Sequence, residues 1–495
     1  MLMPDPDSTT IAKRDEIIAA MREIIDDAGV IFEEDELRAY DCDGVMAYRQ
    51  LPLIVVLPET TNQVSNVLRY CHKNQVKIVP RGAGTGLSGG ALPLADAITV
   101  GLGKFNKILE TDFDNRCVIT QPGVTNLALT QAVEHAGFYY APDPSSQIAC
   151  SIGGNVAENS GGVHCLKYGL TTNNVLGVEM VLMNGEIVRI GGKHLEATGY
   201  DLLGVINGSE GLLGIITEVT VRILRKPEMA KALLLGFDSN EAGGECVAAI
   251  IGAGIIPGGM EMMDTFAIQA AEEFVHAGYP LDVSSLLIVE LDGPAAEVDY
   301  LIGKVEAISR QQNAKYIKIS ETEDERLRFW SGRKAAFPAV GRLSPDYLCM
   351  DGTIPRGQLS FVLTRMAEMS KTYGLRVANV FHAGDGNLHP LILFDSNEPG
   401  QLEAAEMFGA DILRLCVEVG GVLTGEHGVG VEKRDLMGEM FTEEDMKHQQ
   451  RLKCAFDPGH LLNPGKVYPT LHRCAELGRM HVHRGQVPFP DIPRF

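Results

Sequence analysis

The chain has 495 residues, of which 45% are hydrophobic, and its 43 basic and 65 acidic side chains give a net charge of −22 at pH 7. At about 100–200 residues per domain, this length predicts two or more domains, each with a core of its own. The acidic balance disfavours partners that are bound by phosphate neutralisation, so we exclude nucleic acid as a ligand.

Strands and helices alternate through the first half of the chain. Apolar residues at helical spacing predict an amphipathic helix over 11–28. A strand over 53–57, a helix over 61–74 and a strand over 76–79 then form a β-α-β alternation that leads into a glycine-rich loop. The pattern continues with strands over 97–102 and 117–120, a helix over 126–136, a hairpin at Asn184-Gly185 between strands 178–183 and 186–190, and a strand over 214–224.

A charged, proline-containing break at 225–228 marks a domain boundary. Beyond it, helices that begin at Glu241, Thr265 and Glu297 alternate with strands over 232–237, 260–263, 286–291 and 316–319. This exchange predicts a second, smaller α+β domain with helices over one face of its sheet. We expect a first domain over 1–227, a second over 228–440, and a C-terminal helix and tail over 441–495 that return to the first domain.

The sequence shows neither a membrane span nor a redox centre made of cysteines. No stretch reaches the ~20 apolar residues of a span, and the N-terminus has no signal-peptide pattern, so we expect a cytoplasmic protein. The 10 cysteines include no C-x-x-C pair and are interpreted as buried thiols. If the protein transfers electrons, another group must carry them.

The densest glycine cluster is the loop 80–90, Pro-Arg-Gly-Ala-Gly-Thr-Gly-Leu-Ser-Gly-Gly. Gly84, Gly86 and Gly89 match the dinucleotide pattern G-x-G-x-x-G, but Pro93 and the lack of helical periodicity after the loop argue against a Rossmann fold. Because glycine has no Cβ, the backbone N–H groups of this loop can form a nest for phosphate. The alternative is a flexible turn.

Glycine and hydroxyl residues recur at 142–146 and 151–162. With loop 80–90 and the turn Asn463-Pro-Gly-Lys466, they resemble the FAD-binding domain of the vanillyl-alcohol oxidase or PCMH type. In that family FAD lies between two α/β subdomains, with its pyrophosphate on the first loop. The resemblance implies cofactor contacts from Pro80, Arg81, Gly82, Ala83, Gly84, Thr85, Gly86, Leu87, Ser88, Gly89, Pro142, Asp143, Ser145, Ser146, Gly153, Gly154, Asn155, Glu158, Asn159, Gly161, Gly162, Gly169, Gly214, Ile215, Ile216 and Asn463.

The flavin is expected to be non-covalent. Members of that family with covalent FAD carry a histidine close after the glycines of the first loop, whereas Ala91 stands there in this chain.

A second group of motifs contains histidines. His382 and His389 flank the segment Ala-Gly-Asp-Gly-Asn-Leu, and Glu426 and His427 lie in a glycine-rich loop. Seven residues apart on a straight strand, the two histidines would point to opposite faces, so the turn at 384–387 must fold the chain if they are to converge. Two imidazoles and Glu426 would make a site for a borderline divalent metal. The alternative is a pair of ordinary polar histidines beside a turn.

These motifs, behind a flavin domain, resemble the D-2-hydroxyacid dehydrogenases that pass electrons to an acceptor other than NAD. In that family, residues at the positions of His382, His389 and Glu426 bind a divalent metal, often zinc or manganese. Arg333 matches the arginine that binds the substrate carboxylate, and His427 is the expected general base. The alternative for Arg333 is a solvated helix residue. The implied fold is a PCMH-type FAD domain, a ferredoxin-like α+β cap domain and a C-terminal helical segment.

The resemblance is greatest to glycolate-oxidising members of the family and covers essentially the whole chain. Members that act on 2-hydroxyglutarate carry a lysine near Cys349 and a threonine near Phe337, and both polar groups are missing here. We therefore expect oxidation of glycolate to glyoxylate, with D-lactate as a secondary substrate.

The same resemblance implies partner subunits of a glycolate oxidase complex. These are an E subunit with a second flavin and an F subunit with iron–sulfur clusters, which deliver electrons towards quinone and allow peripheral association with the inner membrane. Two alternatives stay open: a stand-alone FAD-linked D-lactate dehydrogenase, and a non-catalytic flavin subunit of an electron-transfer complex.

Overall fold

Three main sheets organise the protein, whose computed structural model describes residues 3–45, 47–194 and 199–469. Over these residues the strands are β1 (Val30–Ile31), β2 (Ile54–Val56), β3 (Lys77–Arg81), β4 (Ala97–Gly101), β5 (Ile108–Asp112), β6 (Cys117–Thr120), β7 (Phe138–Tyr139), β8 (Val175–Val181), β9 (Ile187–Gly191), β10 (Ile215–Arg222), β11 (Leu224–Arg225), β12 (Met229–Phe237), β13 (Gly259–Asp264), β14 (Ser285–Gly293), β15 (Tyr316–Ile319), β16 (Asp346–Cys349), β17 (Gly352–Thr353), β18 (Val377–Phe381), β19 (Asn387–Leu388) and β20 (Pro390–Phe394).

The α-helices of the same residues occupy the connections between strands and the C-terminal part of the chain. They are α1 (Ser8–Ala12), α2 (Arg14–Ile24), α3 (Glu34–Leu37), α4 (Thr61–Asn74), α5 (Asn126–Val133), α6 (Ile152–Glu158), α7 (Cys165–Tyr168), α8 (Thr171–Asn174), α9 (Leu202–Ile206), α10 (Asn240–Gly252), α11 (Thr265–Val275), α12 (Ala295–Gln311), α13 (Glu323–Val340), α14 (Leu359–Tyr373), α15 (Gln401–Glu418), α16 (Met437–Met440) and α17 (Glu443–Phe456). In the described part of the chain, no helix is long and apolar enough to cross a membrane.

The first sheet has four strands in the order β1-β2-β4-β3, with β2, β4 and β3 parallel. Every residue of β2 and β4 is buried, as is typical of a parallel sheet covered by helices. Helix α4 begins with a capping box at Thr60 and packs Val64, Val67 and Leu68 into the same core. The predicted β-α-β unit is confirmed, and it places loop 80–90 directly after the buried strand β3.

The second sheet is antiparallel, in the order β5-β6-β10-β8-β9. Its β8–β9 hairpin turns at Asn184-Gly185, where Gly185 has a φ of 84°. That left-handed conformation is the one that a tight hairpin turn requires, and the predicted hairpin is confirmed. Helices α5 and α6 share a core with this sheet.

The third sheet, here called the cap sheet, has seven antiparallel strands in the order β15-β12-β14-β13-β18-β20-β16. The first four strands follow the 4-1-3-2 order of a ferredoxin-like fold, which confirms the predicted fold class, and three further strands extend the sheet beyond β13.

The prediction of helices over only one face of this sheet is wrong. Leu233 and Leu235 of β12 face a core shared with α10, α12, α14 and α15, whereas Ala232 and Leu234 face a core shared with α11 and α13. Because side chains alternate along a strand, a strand with apolar residues on both sides is buried on both faces.

Two segments differ locally from the predictions. The helix predicted over 11–28 is interrupted at Lys13, and its second part, α2, ends at Ile24. The segment 153–162, predicted as a loop, begins as helix α6, because the Ser151 side chain accepts a hydrogen bond from the N–H of Gly154 and caps the helix. Pattern alone misses such a helix, since two glycines stand in its first turn.

The C-terminal part of the described chain contacts the first sheet. After α17, the N–H of Ile78 donates to the carbonyl of Leu461, and the N–H of Asn463 donates to the carbonyl of Ile78. The buried ammonium of Lys453 on α17 donates to the carbonyls of Leu212 and Leu462. The remainder of the predicted tail, residues 470–495, lies outside the described residues.

Candidate active site

A cleft of about 1340 Å³, partly open to solvent, runs from loop 80–90 to the histidine motifs. A smaller cleft of about 670 Å³ continues from it past Pro80 and the start of β10. Of the predicted cofactor residues, the two clefts are lined by Pro80, Arg81, Gly82, Ala83, Gly84, Thr85, Gly86, Leu87, Ser145, Ser146, Gly153, Gly154, Asn155, Glu158, Gly214, Ile215 and Ile216.

The glycine-rich loop has the free donors that an anionic group requires. No backbone N–H of residues 83–88 donates a hydrogen bond to another described residue. Gly84 and Gly89 have φ values of 73° and 77°, a conformation that glycine adopts without strain. Successive unpaired N–H groups in such a loop form a nest for a phosphate or pyrophosphate, so these residues fit the phosphate part of FAD.

The other predicted cofactor residues do not line the clefts, and several support the residues that do. The carbonyl of Ser88 accepts hydrogen bonds from the N–H groups of Val431 and Glu432. Asn463 donates to the carbonyls of Gly90 and Glu210. This group consists of Ser88, Gly89, Pro142, Asp143, Asn159, Gly161, Gly162, Gly169 and Asn463.

Two buried carboxyl groups, Glu158 and Glu210, line the smaller cleft. Glu210 accepts hydrogen bonds from the N–H groups of Val429 and Gly430, both at 2.7 Å. The other group, Glu158, lines the cleft, and its Oε2 is buried without a hydrogen-bond partner in the described residues. Burial, and next the charge of Glu210, raise the pKa of Glu158 well above its ordinary value. Burial raises the pKa of Glu210 as well, but its carboxylate has two N–H partners, so Glu158 takes up a proton more readily than Glu210 does.

At the other end of the cleft, a tight turn folds β18 back onto β19 and β20. The N–H of His382 donates to the carbonyl of Asn387, and the rings of His382 and His389 lie 5.1 Å apart. Oε1 of Glu426 lies 3.3 Å from Nε2 of His382 and 3.2 Å from Nε2 of His389. The turn thus brings together the three predicted metal ligands.

The chemistry of this group fits a divalent metal. Neither ring nitrogen of His389 makes an aligned hydrogen bond, although both are buried. Burial opposes ionisation of Glu426, but its close contacts with His382 and His389 outweigh burial and hold its pKa well below the ordinary value. An ionised carboxylate beside two imidazoles is a donor set typical of zinc or manganese.

A buried carboxylate, Asp351, shapes the loop that carries Glu426. It accepts hydrogen bonds from the hydroxyl of Thr424 and from the N–H groups of Gly425, Glu426 and His427. Asp351, His389 and His427 could also surround an ion, but the Asp351 oxygens are already occupied by these donors. We therefore favour the site of His382, His389 and Glu426.

His427 lines the cleft and stacks on His389, with the ring centroids 4.9 Å apart and the planes 3° from parallel. Burial lowers the pKa of His427 to about 4. Its Nδ1 is buried without a hydrogen-bond partner in the described part of the chain. At neutral pH this imidazole is uncharged, which is the state that a general base needs.

Arg333, predicted to face the substrate, does not line the cleft. Its side chain is 2% exposed, and its Nε donates a 2.8 Å hydrogen bond to Oε2 of Glu261. Oε1 of Glu261 lies 2.6 Å from Nδ1 of His382. The interpretation of Arg333 as a solvated helix residue is wrong, since the guanidinium is buried and lies behind the proposed metal ligands.

Lys334, Phe337 and Tyr347 line the cleft near the histidines. The ring of Phe337 lies edge-on to His389, with the centroids 6.2 Å apart. Lys334 is exposed and makes no ion pair with another described residue. Cys349, by contrast, is buried on β16 and does not line the cleft.

Sequence reasoning missed Glu261, Asp351 and Lys334. Glu261 is an acidic residue between two methionines of a fully buried strand, Gly-Met-Glu-Met-Met-Asp, and a charged side chain in the middle of such a strand is the signal that could have identified it. Asp351 has no such signal, because it follows a strand by two residues, where an aspartate is ordinary.

Comparison with known proteins supports the family. Residues 52–191 match a model described as an FAD binding domain, and residues 226–467 match the C-terminal domain of FAD linked oxidases. The chain is 53% identical to the glycolate oxidase subunit GlcD of Escherichia coli K12, over 100% of this chain and 98% of that protein. It is 38% identical to GlcD of Bacillus subtilis, over 87% and 92%, and 30% identical to a D-lactate dehydrogenase of Anaerostipes hadrus, over 91% and 95%.

Solved structures share the fold at low identity. A p-cresol methylhydroxylase with bound substrate superimposes with a TM-score of 0.79 at 17% identity, over 94% of this chain and 98% of that one. A 4-ethylphenol oxidase from Gulosibacter chungangensis does so with a TM-score of 0.78 at 17% identity, over 95% and 99%. The predicted PCMH-type fold is confirmed. The chain belongs to the FAD-linked oxidase family, in the group that contains the glycolate oxidase subunit GlcD.

Proposed function

We propose that this chain is the catalytic subunit of a glycolate oxidase, which oxidises glycolate to glyoxylate and passes the electrons to an acceptor other than NAD. The observation that carries the proposal is the shared cleft. One wall is the glycine-rich loop with its free N–H groups, and the far end is formed by His389, Glu426 and His427. The relatives named glycolate oxidase subunits support the substrate.

Non-covalent FAD would occupy the first part of the cleft. Its pyrophosphate would bind the N–H groups of residues 83–88, and Glu158, which takes up a proton more readily than Glu210, could donate a hydrogen bond to the cofactor without repelling its phosphates. When bound, FAD supplies the two-electron acceptor.

A divalent zinc or manganese ion would be held by His382, His389 and Glu426. When bound, it supplies a Lewis acid that orients the substrate and makes its hydroxyl more acidic. The contact of Glu261 with Nδ1 of His382 fixes which ring nitrogen faces Glu426.

Two side chains would bind the substrate carboxylate and remove the hydroxyl proton. Nη2 of Arg333 lies 2.8 Å from Oε2 of Glu261 in an ion pair but makes no aligned hydrogen bond, and a substrate carboxylate would provide an aligned acceptor. His427 would take the hydroxyl proton on Nε2, since its Nδ1 is fully buried, while the substrate C–H faces the flavin. The net change removes one proton and one hydride from glycolate.

The aromatic end of the cleft favours a small substrate. Phe337 and Tyr347 contact each other, with the ring centroids 6.5 Å apart, and their aromatic surface is a poor neighbour for a distal carboxylate, although the exposed Lys334 lines the same end. Dicarboxylates such as 2-hydroxyglutarate should therefore react poorly, whereas D-lactate adds only a methyl group. The D-lactate dehydrogenases among the relatives support this second substrate.

We also propose that the chain works with an E flavin subunit and an F iron–sulfur subunit, and that any contact with the inner membrane is made through them. The support is the name of the relatives, which describes a subunit, and the absence of a cysteine cluster for an iron–sulfur centre in the described residues.

A dye-linked assay of the purified chain tests the proposal. Glycolate should give the highest kcat/KM, D-lactate a lower value, and D-2-hydroxyglutarate almost no turnover. A preference for D-lactate would favour the stand-alone D-lactate dehydrogenase. No turnover of any hydroxyacid by a chain that retains FAD would favour the non-catalytic subunit.

A further inference from the structure

Glu261 occupies the centre of the cap sheet, on β13, and is 1% exposed. Its two oxygens have different partners. Oε1 lies 2.6 Å from Nδ1 of His382, and Oε2 accepts a 2.8 Å hydrogen bond from Nε of Arg333. One buried carboxylate thus joins a proposed metal ligand to the proposed substrate arginine.

The burial of these groups makes the arrangement specific. An ionised carboxylate in a protein core is costly unless it is both paired and hydrogen-bonded. Glu261 meets that requirement through Arg333 and His382, which are 2% and 4% exposed. If either partner moves, the buried carboxylate loses one of the two contacts that stabilise its charge. The positions of the two partners therefore depend on each other.

The two histidines of the site are held differently. His382 is fixed through Nδ1, which leaves its Nε2 directed at Glu426. His389 has no aligned hydrogen bond on either nitrogen, and its Nε2 lies 3.5 Å from Asp351. A carboxylate that holds a histidine in this way orients it and raises its basicity as a ligand. His382 is therefore the preorganised ligand of the pair.

We propose that Glu261 is a positioning residue that couples occupancy of the metal site to binding of the substrate carboxylate, by linking His382 to Arg333. The inference rests on the proposed function, because it takes the metal and substrate roles from there. Coupling through one group is reciprocal: the metal strengthens binding of the carboxylate by the same factor as the carboxylate strengthens binding of the metal.

Metal affinity of the folded protein is the first readout. We would titrate Zn²⁺ and, separately, Mn²⁺ into the metal-free holoflavoprotein against a chelator, for the wild type, Glu261→Gln and Asp264→Asn. Glu261→Gln should weaken metal binding by about 10–100-fold, the usual effect of losing a group that orients a metal ligand. Asp264→Asn removes another buried carboxylate of β13 that contacts Asn379 rather than the site, so its metal affinity should stay at the wild-type value.

The coupling itself is measured with Arg333→Gln and the double variant. Arg333→Gln should lower metal affinity in the wild-type background and have no effect in the Glu261→Gln background, since Glu261 carries the connection. Glycolate should bind the wild type more tightly with metal than without it, and this difference should shrink in Glu261→Gln, where only the direct contact of the metal with the substrate remains. If Glu261→Gln does not fold, Glu261→Asp, whose carboxylate is one methylene short of both partners, takes its place.

The outcomes separate this inference from the proposed function. Equal metal affinity in wild type and Glu261→Gln, or an Arg333→Gln effect that is the same in both backgrounds, overturns the coupling and leaves the proposed metal site intact. A wild type that binds neither Zn²⁺ nor Mn²⁺ overturns the metal site, and the coupling with it. A purely structural Glu261 would lower thermal stability without a change in the metal affinity of the folded protein.

Discussion

The two ends of the cleft consist of different chemical groups. The end at loop 80–90 consists of backbone N–H groups, left free by glycines and supported by Ser88 and Asn463. The histidine end consists of ionisable side chains, and two buried carboxylates position parts of it: Glu261 contacts His382, and Asp351 accepts hydrogen bonds from the loop of Glu426. Binding by backbone N–H groups depends on the conformation of the loop. Binding by side chains depends on the charges of the residues that surround them.

This difference implies that the two ends can be disabled separately. Substitutions at the histidine end should remove catalysis and leave the flavin bound, and substitutions that disturb the glycine loop should remove the flavin and leave the ligand cluster intact. The following tests run from the largest expected effect to the smallest.

Loss of a metal ligand should have the largest effect. Glu426→Gln keeps the volume of the side chain but removes its charge, so we expect kcat/KM for glycolate to fall by more than the about 10²–10⁴-fold of a lost general base. FAD content, read from the visible spectrum, should equal that of the wild type. Glu418→Gln, an exposed position on α15, is the matched control and should leave both quantities unchanged.

Removal of the proposed base should be less severe. His427→Ala is expected to lower kcat by about 10²–10⁴-fold, the contribution typical of general base catalysis. FAD and metal content should both be retained, because His427 is bound to neither in the proposal. Flavin reduction by glycolate at the wild-type rate in this variant would exclude His427 as the base.

Gly430 tests the backbone end. Its φ is 53°, and a Cβ at this position would collide with the carbonyl of Ser88, so Gly430→Ala must displace the end of the glycine loop. The left-handed backbone alone costs about 1–2 kcal/mol with a side chain, and we expect FAD affinity to fall by roughly tenfold or more.

Turnover per bound flavin should stay near the wild-type value in Gly430→Ala. The control, Gly103→Ala, has open space around its Cβ and no positive φ, and it should bind FAD normally. Equal FAD affinity in the two variants would show that the loop does not require its present conformation.

The smallest effect is expected at His164, which joins the flavin side to the cap sheet. Its Nδ1 lies 2.8 Å from Asp143 and its Nε2 lies 3.1 Å from Glu290. Burial lowers the pKa of His164, but the charge and hydrogen bond of Asp143, followed by those of Glu290, outweigh burial and raise it well above the ordinary value. A raised pKa means that the protonated ring stabilises the fold.

That stabilisation should be complete below about pH 6.5, the pKa of an unfolded histidine, and should be lost as the pH rises through the folded pKa. The midpoint of thermal unfolding should therefore differ between wild type and His164→Gln by a few degrees at pH 6, and by less in alkaline buffer. His448→Gln, at an exposed site, should show no such pH dependence. A difference that grows with pH would contradict the assigned charge.

Sequence reasoning succeeded where a local pattern has a single structural meaning. The β-α-β unit, the Asn184-Gly185 hairpin and the density of glycines in loop 80–90 are local, and each lies where the sequence predicts. The convergence of His382 and His389 was predicted only as a condition on the turn between them, since sequence spacing cannot establish that a turn closes.

The partners of the supporting carboxylates could not be predicted. Glu261 and Arg333 are 72 positions apart, and Asp351 is 73 or more positions from the loop that it shapes. Such residues come together only through tertiary packing, and the periodicity of the sequence does not predict that packing. The burial of Arg333 was missed for the same reason. The hydrogen bond that compensates its charge goes to Glu261 on β13, which is distant in sequence.

The central claim is that one chain holds both the flavin and the site that oxidises glycolate. Anaerobic addition of glycolate to the purified, metal-loaded holoprotein, with no partner subunit present, tests it most directly. We predict that glycolate bleaches the flavin absorbance within seconds. Bleaching should be slower with D-lactate and should not occur with L-lactate. A flavin that stays bound and oxidised in excess glycolate would contradict the claim.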